Sequence, residues 1–131
     1  MQSVSKYFLT YLLAITFAYA VPPALNVYVI PFDNSKSEPA LMWLSEAFSS
    51  MISSNLSDQD RVYVKNQSNL EEVMSNRGLL TQQKPGTKNF LILGKYERSL
   101  DKLIISVQLI DIATWDEVDS RRITGYYNKI D

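Results

Sequence analysis

The stretch that decides the fold is LNVYVIP, residues 25–31. Its β-branched and aromatic residues favour a β-strand, and apart from Asn26 they are apolar on both of its faces. A strand that is apolar on both faces is typical of the centre of a sheet covered on both sides. Pro31 ends the strand, because proline cannot donate a hydrogen bond to a neighbouring strand. The sequence therefore predicts a central strand near the start of the folded domain.

The rest of the chain predicts two helices and four more strands. Apolar residues at spacings of three and four indicate an amphipathic helix over residues 39–56. Ser68 and Glu71 predict a capping box that starts a second helix, and Gly78 is its predicted end. The four strands are predicted at residues 61–65, 90–96, 102–112 and 117–125. The first and last of these carry charges and suit the edges of a sheet.

This order of elements, β-α-β-α-β-β-β, predicts the topology. Strands joined through a helix should run parallel with right-handed crossovers, and strands joined by hairpins should run antiparallel. With the first strand central and the second at an edge, the order across the sheet is 2-1-3-4-5, counting strands along the chain. The two crossovers then place the helices on opposite faces. We expect a single three-layer α/β/α domain with a mixed five-stranded sheet over residues 21–131.

Residue counts exclude most catalytic and cofactor chemistries. The 131 residues contain no His and no Cys, which removes Ser-His-Asp and Cys-His catalysis, imidazole metal ligands, Fe–S clusters and disulfides. The four glycines do not cluster, so no phosphate-binding loop or dinucleotide fingerprint is present. Thirteen Lys and Arg face fourteen Asp and Glu, which offers no basic patch for nucleic acid. We predict no cofactor, no metal and no nucleic-acid partner.

The first twenty residues have the pattern of a secretory signal peptide. Lys6 precedes an uncharged stretch, residues 7–19, and Ala18 and Ala20 supply small residues at the cleavage site. We expect cleavage between Ala20 and Val21, which leaves a periplasmic domain with no membrane span. The alternative is an uncleaved membrane anchor, although the stretch is shorter than the roughly 20 apolar residues that a spanning helix needs.

Four segments resemble the TolB amino-terminal-like domains of bacterial envelope proteins. They are VYVIPFDN at residues 27–34, LMWLSEA at 41–47, FLILGKY at 90–96 and LIISVQLID at 103–111. The same family includes the periplasmic part of the curli-secretion protein CsgG and the flagellar-envelope protein FlgO. The resemblance spans about residues 25–127 and implies a mixed five-stranded sheet of order 2-1-3-4-5 and an envelope role. Many relatives carry a lipidation Cys, which this chain lacks.

Asp33 and Asn34 are a candidate ligand loop, because they follow the first strand where α/β sheets often bind ligands. The alternative is a turn in which both side chains satisfy backbone N–H groups. The remaining carboxylates fall in predicted turns and edges, and nothing places two of them across a cleft as a glycosidase requires. They are Asp58, Asp60, Asp111, Asp116, Glu117 and Asp119. The sequence therefore favours a protein that is not an enzyme.

The candidate interaction residues are Trp43, Arg121, Tyr126 and Tyr127. Trp43 lies off the centre of the apolar stripe of the first helix, and the tyrosines follow a charged strand predicted at an edge. Aromatic residues dominate interface hot spots, although ordinary core packing is the alternative for them, as for Tyr96 and Trp115.

Two functions follow from these candidates. The first is a secreted, non-catalytic domain of the bacterial envelope that docks onto another envelope protein, or self-associates, through a sheet edge or the aromatic tail. The alternative is a small-molecule or saccharide-binding module that uses the loops at Asp33-Asn34 and Pro85-Gly86.

Overall fold

The computed structural model describes residues 23–126, so the predicted cleavage site at Ala20 and Val21 and the candidate Tyr127 lie outside the described residues. The strands are β1 Leu25–Val29, β2 Asp33–Asn34, β3 Val62–Lys65, β4 Lys88–Ser99, β5 Lys102–Asp111 and β6 Glu117–Tyr126. The helices are α1 Trp43–Ser57, α2 Gln67–Ser75 and α3 Gly78–Thr81, and a 3-10 turn, Pro39–Leu41, precedes α1.

The sheet is built around β1, as its two-sided apolar sequence predicts. β1 pairs in parallel with β3 on one side and with β4 on the other. β4, β5 and β6 follow as an antiparallel meander, which gives the order β3-β1-β4-β5-β6. This is the predicted order of the five main strands. The sheet has a sixth member, because the two residues of β2, expected as a turn, pair with β4.

The helices cover the two faces of the sheet separately. α1 packs Leu44, Phe48 and Ile52 against one face, in a cluster centred on Val27, Val29, Ile92 and Tyr96. α2 and α3 pack against the other face, where Tyr28, Leu91 and Ile110 form a second cluster. The predicted three-layer α/β/α class is therefore confirmed.

A glycine in β4 brings the chain between β1 and α1 against the sheet. Phe32 is buried and lies directly over Gly94, where an added Cβ atom would come within 2.3 Å of the phenyl Cζ. The Phe32 ring also contacts the Phe48 ring of α1, with 5.5 Å between centroids. The close approach of ring and backbone is possible because residue 94 has no side chain.

The start of α2 differs from the prediction. The N-cap is Asn66 and not Ser68, and its side chain accepts from the backbone N–H of Asn69 at 2.9 Å. The Asn69 side chain accepts from the Asn66 backbone N–H at 2.9 Å, which completes the reciprocal box. Gly78 does not end this helix either, since α2 ends at Ser75 and Gly78 begins α3.

Candidate functional site

The outer strand β6 is exposed along its whole length. All ten of its residues are exposed, although its inner edge pairs with β5 from Lys102↔Tyr126 to Ile110↔Glu117. Val118, Ile123 and Tyr126 expose 56%, 55% and 71% of their surface. No described strand pairs with the outer edge of β6, so the edge prediction for this strand is confirmed.

Three of the four candidate interaction residues lie among the described residues, and Tyr127 does not. Trp43 begins α1 and is 55% exposed, and Tyr126 ends β6 beside the β4–β5 turn. Arg121 lies in the middle of β6, where its Nε atom is 3.5 Å from the Asp119 Oδ2 atom. That ion pair is highly exposed and contributes little to stability.

Of the other two aromatic candidates, Tyr96 is a core residue and Trp115 is at the surface. Tyr96 is 1% exposed, so it is not part of a surface; its hydroxyl donates to the Leu41 carbonyl oxygen at 2.6 Å and lies 3.0 Å from the Ser45 Oγ atom. Trp115 is partly exposed, and the Arg77 guanidinium lies over its ring, 5.6 Å from the centroid.

Asn34 is occupied by its own turn. Its amide nitrogen donates to the Glu38 carbonyl oxygen at 2.8 Å, and its amide oxygen accepts from the Glu38 backbone N–H at 3.3 Å. Glu38 also forms an ion pair with Arg98 of β4, which fixes this turn on the sheet. The turn alternative therefore describes Asn34, whereas Asp33 remains exposed to solvent.

The two loops of the predicted small-molecule site do not meet. Asp33 follows the carboxyl end of β1, whereas a Cβ atom at Gly86 would lie 3.9 Å from Pro23, just before the amino end of β1. The strand β1 separates them, so a single site made from Asp33-Asn34 and Pro85-Gly86 is wrong. Each loop instead borders a hollow of its own.

Of these two hollows, the one beside Asp33 is the larger, and it lies on the sheet face against which α2 and α3 pack. It has a volume of about 650 Å³ and is bordered by polar side chains from β4, β5 and β6, with Leu93 as an apolar member. Lys95, Ser106 and Arg122 also border a smaller hollow of about 180 Å³. Apart from Asp33, no sequence pattern marks this hollow, because its other polar residues are single positions in three separate strands.

The predicted carboxylates do not form a metal centre in the described part of the chain. Within residues 23–126 no three acidic side chains lie close enough together to hold a metal ion. Asp111 is part of a turn, where its Oδ1 atom accepts from the Ala113 backbone N–H at 2.9 Å. Gln108 donates to the Glu117 Oε1 atom at 2.6 Å. These acids are held by neighbouring polar groups of the chain.

The pKa of the buried Tyr28 is shifted. Burial in the second core cluster raises the pKa of Tyr28 above its ordinary value, and the negative charge of Glu72 raises it further. Both effects disfavour the phenolate. Tyr28 therefore carries no negative charge at neutral pH and acts as a core residue.

Comparison with known proteins identifies the fold but no family. No protein-family model matches this chain, and no curated protein matches it. The LpoB C-terminal domain from Salmonella enterica superposes with a TM-score of 0.51 at 10% identity, over 86% of this chain and 91% of that chain. A PelC dodecamer from Paraburkholderia phytofirmans gives a TM-score of 0.51 at 15% identity, over 84% of this chain and 79% of that chain. At these identities the likeness shows a shared fold.

No helix within residues 23–126 is long and apolar enough to cross a bilayer.

Proposed function

We propose that this chain is an exported, non-catalytic interaction domain of the bacterial cell envelope that binds its partner along the free edge of β6. The observation that carries the proposal is the state of this strand: it pairs with β5 on one side except at a bulge at Val118, and all ten of its residues are exposed. An edge strand offers a row of backbone N–H and C=O groups to an incoming strand. Those groups need no catalytic chemistry to bind.

The charges on β6 determine which partner strands can pair with its free edge. Glu117, Asp119, Arg121 and Arg122 mix both signs within six positions. Charges on an edge strand discourage pairing with arbitrary strands, and opposite charges facing each other across a new pair stabilise it. Tyr126, at the end of the strand, adds an exposed aromatic anchor. The partner is therefore a strand whose charges complement those of β6.

Two findings support this kind of function. The same fold occurs in a PelC structure that is described as a dodecamer, so copies of such a domain can assemble. It also occurs in the LpoB C-terminal domain, which likewise comes from a bacterium. The envelope location rests on the signal-peptide pattern of residues 1–20 and on the resemblance to the TolB amino-terminal-like domains. Export predicts that the mature protein begins at Val21, which intact-mass measurement on protein from a periplasmic extract checks.

A cysteine on β6 tests the edge directly, because the chain contains no other Cys. The Ser120→Cys variant places one thiol on exposed β6, and the matched Ser57→Cys variant places one at the exposed end of α1. Under mild oxidation in envelope extract we expect only Ser120→Cys to form a covalent adduct. A dimer of this chain identifies self-association, and a mixed adduct identifies another envelope protein. Equal adducts from both variants, or none from either, would contradict the proposal.

The aromatic anchor is tested with the Tyr126→Ala/Tyr127→Ala double variant. We expect it to bind the captured partner more weakly than wild type. Because Tyr126 is 71% exposed, we expect the free energy of unfolding to fall by less than about 1 kcal/mol. Tyr63→Ala on the opposite edge strand β3 is the matched control, since Tyr63 is 50% exposed. A loss of about 3 kcal/mol or more would instead place these tyrosines in a core.

A further inference from the structure

Four neighbouring strands place one polar residue each in a single row across the sheet. Asp33 of β2 pairs with Lys95 of β4, Lys95 pairs with Ser106 of β5, and Ser106 pairs with Arg122 of β6. Residues directly paired in this way point to the same face. The row therefore consists of a carboxylate, an ammonium, a hydroxyl and a guanidinium, in that order. It lies on the same face of the sheet as α2 and α3, in the part beyond Leu93 that these helices do not cover.

The spacing of the row lets both cations reach one small ligand. Adjacent strands lie about 4.8 Å apart, so the Cα atoms of Lys95 and Arg122 are roughly 10 Å apart with Ser106 between them. Both are long side chains, and an anion held above the Ser106 hydroxyl lies within their reach. Two cations and one hydroxyl donor are the groups that bind a carboxylate or a phosphate.

The two cations are not used by the fold. Among residues 23–126, neither Lys95 nor Arg122 takes part in an ion pair or a side-chain hydrogen bond. Neighbouring carboxylates have other partners: Glu97 lies 3.8 Å from the Lys36 ammonium, and Glu117, which also borders the 650 Å³ hollow, accepts from Gln108. The carboxylate nearest in register is Asp33, and it does not come within 4 Å of the Lys95 ammonium. An anion from outside would thus meet two cations without breaking an internal pair.

The row crosses a hollow of the right size. The 650 Å³ hollow is bordered by all four members of the row, and the hydroxyl of Ser120 and the amide of Gln108 face the same space. Binding sites for small molecules commonly have volumes of about 300–1,000 Å³. The groups around the cationic centre are hydrogen-bonding partners for hydroxyls, so the hollow suits a polar ligand that carries one anionic group.

We infer that the Lys95–Ser106–Arg122 row is a binding site for a carboxylate or phosphate group on a hydroxyl-bearing ligand of monosaccharide size. Lys95 and Arg122 hold the anionic oxygens, Ser106 donates a hydrogen bond between them, and Asp33 accepts from a ligand hydroxyl. The site lies on the face of the sheet, whereas the proposed partner strand adds to the edge of β6. The two proposals share Arg122, but the anion site needs no partner strand on the edge of β6.

The experiment titrates the full mature protein with galacturonate, inorganic phosphate and uncharged galactose, using backbone amide NMR and calorimetry. We expect both anions to bind with a millimolar or lower Kd and to shift the amides of Lys95, Ser106 and Arg122, while galactose does not. Lys95→Gln and Arg122→Gln should each weaken binding about tenfold, as expected for the loss of one charge-assisted hydrogen bond. Lys102→Gln is the matched control, because Lys102 is an exposed cation of β5 outside both hollows.

The galacturonate and phosphate titrations distinguish a hydroxyl-bearing ligand from a free oxyanion. Tighter binding of galacturonate than of phosphate identifies a hydroxyl-bearing ligand, and equal binding identifies a bare oxyanion site in the same row. The inference is overturned if galactose binds as well as galacturonate, or if neither anion shifts these amides. It is also overturned if Lys102→Gln weakens binding as much as Arg122→Gln does. The amide spectrum of each variant without ligand verifies that it is folded.

Discussion

At the scale of single residues, Leu100 occupies a conformation that its side chain disfavours. It is the first residue of the two-residue turn between β4 and β5, its φ is +59°, and it is 92% exposed. A left-handed conformation costs a residue with a β-carbon about 1–2 kcal/mol, whereas Asn tolerates it better. Its apolar side chain gains almost nothing in return, since it is nearly fully in solvent.

We therefore expect Leu100→Asn to stabilise the protein, raising the free energy of unfolding by about 0.5–1 kcal/mol. Urea denaturation measures the change. Asp101→Asn is the control, because it introduces the same residue one position later, where φ is not in the left-handed region. If Leu100→Asn leaves the free energy of unfolding unchanged or lowers it, the left-handed conformation of Leu100 does not destabilise the protein.

Tyr28 makes the free energy of unfolding depend on pH in the alkaline range. Its pKa in the folded state is raised by burial first and by Glu72 second. A raised pKa means that the folded state holds this proton more tightly than the unfolded state does. The stabilisation is present below the unfolded pKa of about 10 and is lost as the pH rises through the folded value.

The expected result is a fall in the free energy of unfolding as the pH rises above about 10. In Tyr28→Phe this fall should be smaller, while stability near neutral pH should be close to that of wild type. Denaturant titrations at a series of pH values provide the test. The assignment to Tyr28 fails if both proteins lose stability with the same slope.

At the scale of elements, the N-cap of α2 is Ser68 by the sequence pattern and Asn66 in the structure. Ser68 and Glu71 match the capping-box pattern, but the structure uses Asn66 and Asn69, two positions earlier. Both amides make their bonds at 2.9 Å. Asn66 directly follows β3, so capping there lets α2 begin without an intervening loop.

The two alternatives give opposite results on substitution. Asn66→Ala should lower the free energy of unfolding by about 1 kcal/mol, as the loss of an N-cap does. Ser68→Ala should change it by less than about 0.5 kcal/mol, because Ser68 is an exposed residue within the helix. Thermal and urea unfolding of both variants decide between them, and a larger effect at Ser68 would favour the sequence-based cap.

At the scale of the whole molecule, the fold is held together by its two apolar clusters on either side of the sheet. The absence of His and Cys and the separation of the described acidic groups predict that stability is independent of metal and redox state. We expect the thermal midpoint to stay the same when EDTA or a thiol reductant is added. A drop of several degrees with EDTA would reveal a structural cation such as Ca²⁺ held by carboxylates.

Features that depend on the pattern within one element could be predicted from the sequence, whereas features that depend on residues far apart in the chain could not. The strand order follows from apolar patterns within single elements, such as residues 25–31, together with the rules for crossovers and hairpins. The sequence left a surface role and core packing both open for Tyr96, because its partners Leu41 and Ser45 lie about fifty positions away. The row of Lys95, Ser106 and Arg122 exists only through the register of three strands. Nothing within any one of those strands specifies it.

The central position of β1 has a consequence for how the chain comes to be folded. The strand that is synthesised first is flanked on both sides by strands made later, and its Asn26 bonds to Asn89, 63 residues further along. The hairpins of β4, β5 and β6 join near neighbours in the chain, and such local pairings form fastest. We therefore expect the carboxyl-terminal meander to form first and the amino-terminal half to dock onto it. Until the residues of β3 and β4 have been synthesised, β1 lacks both of the strands that flank it.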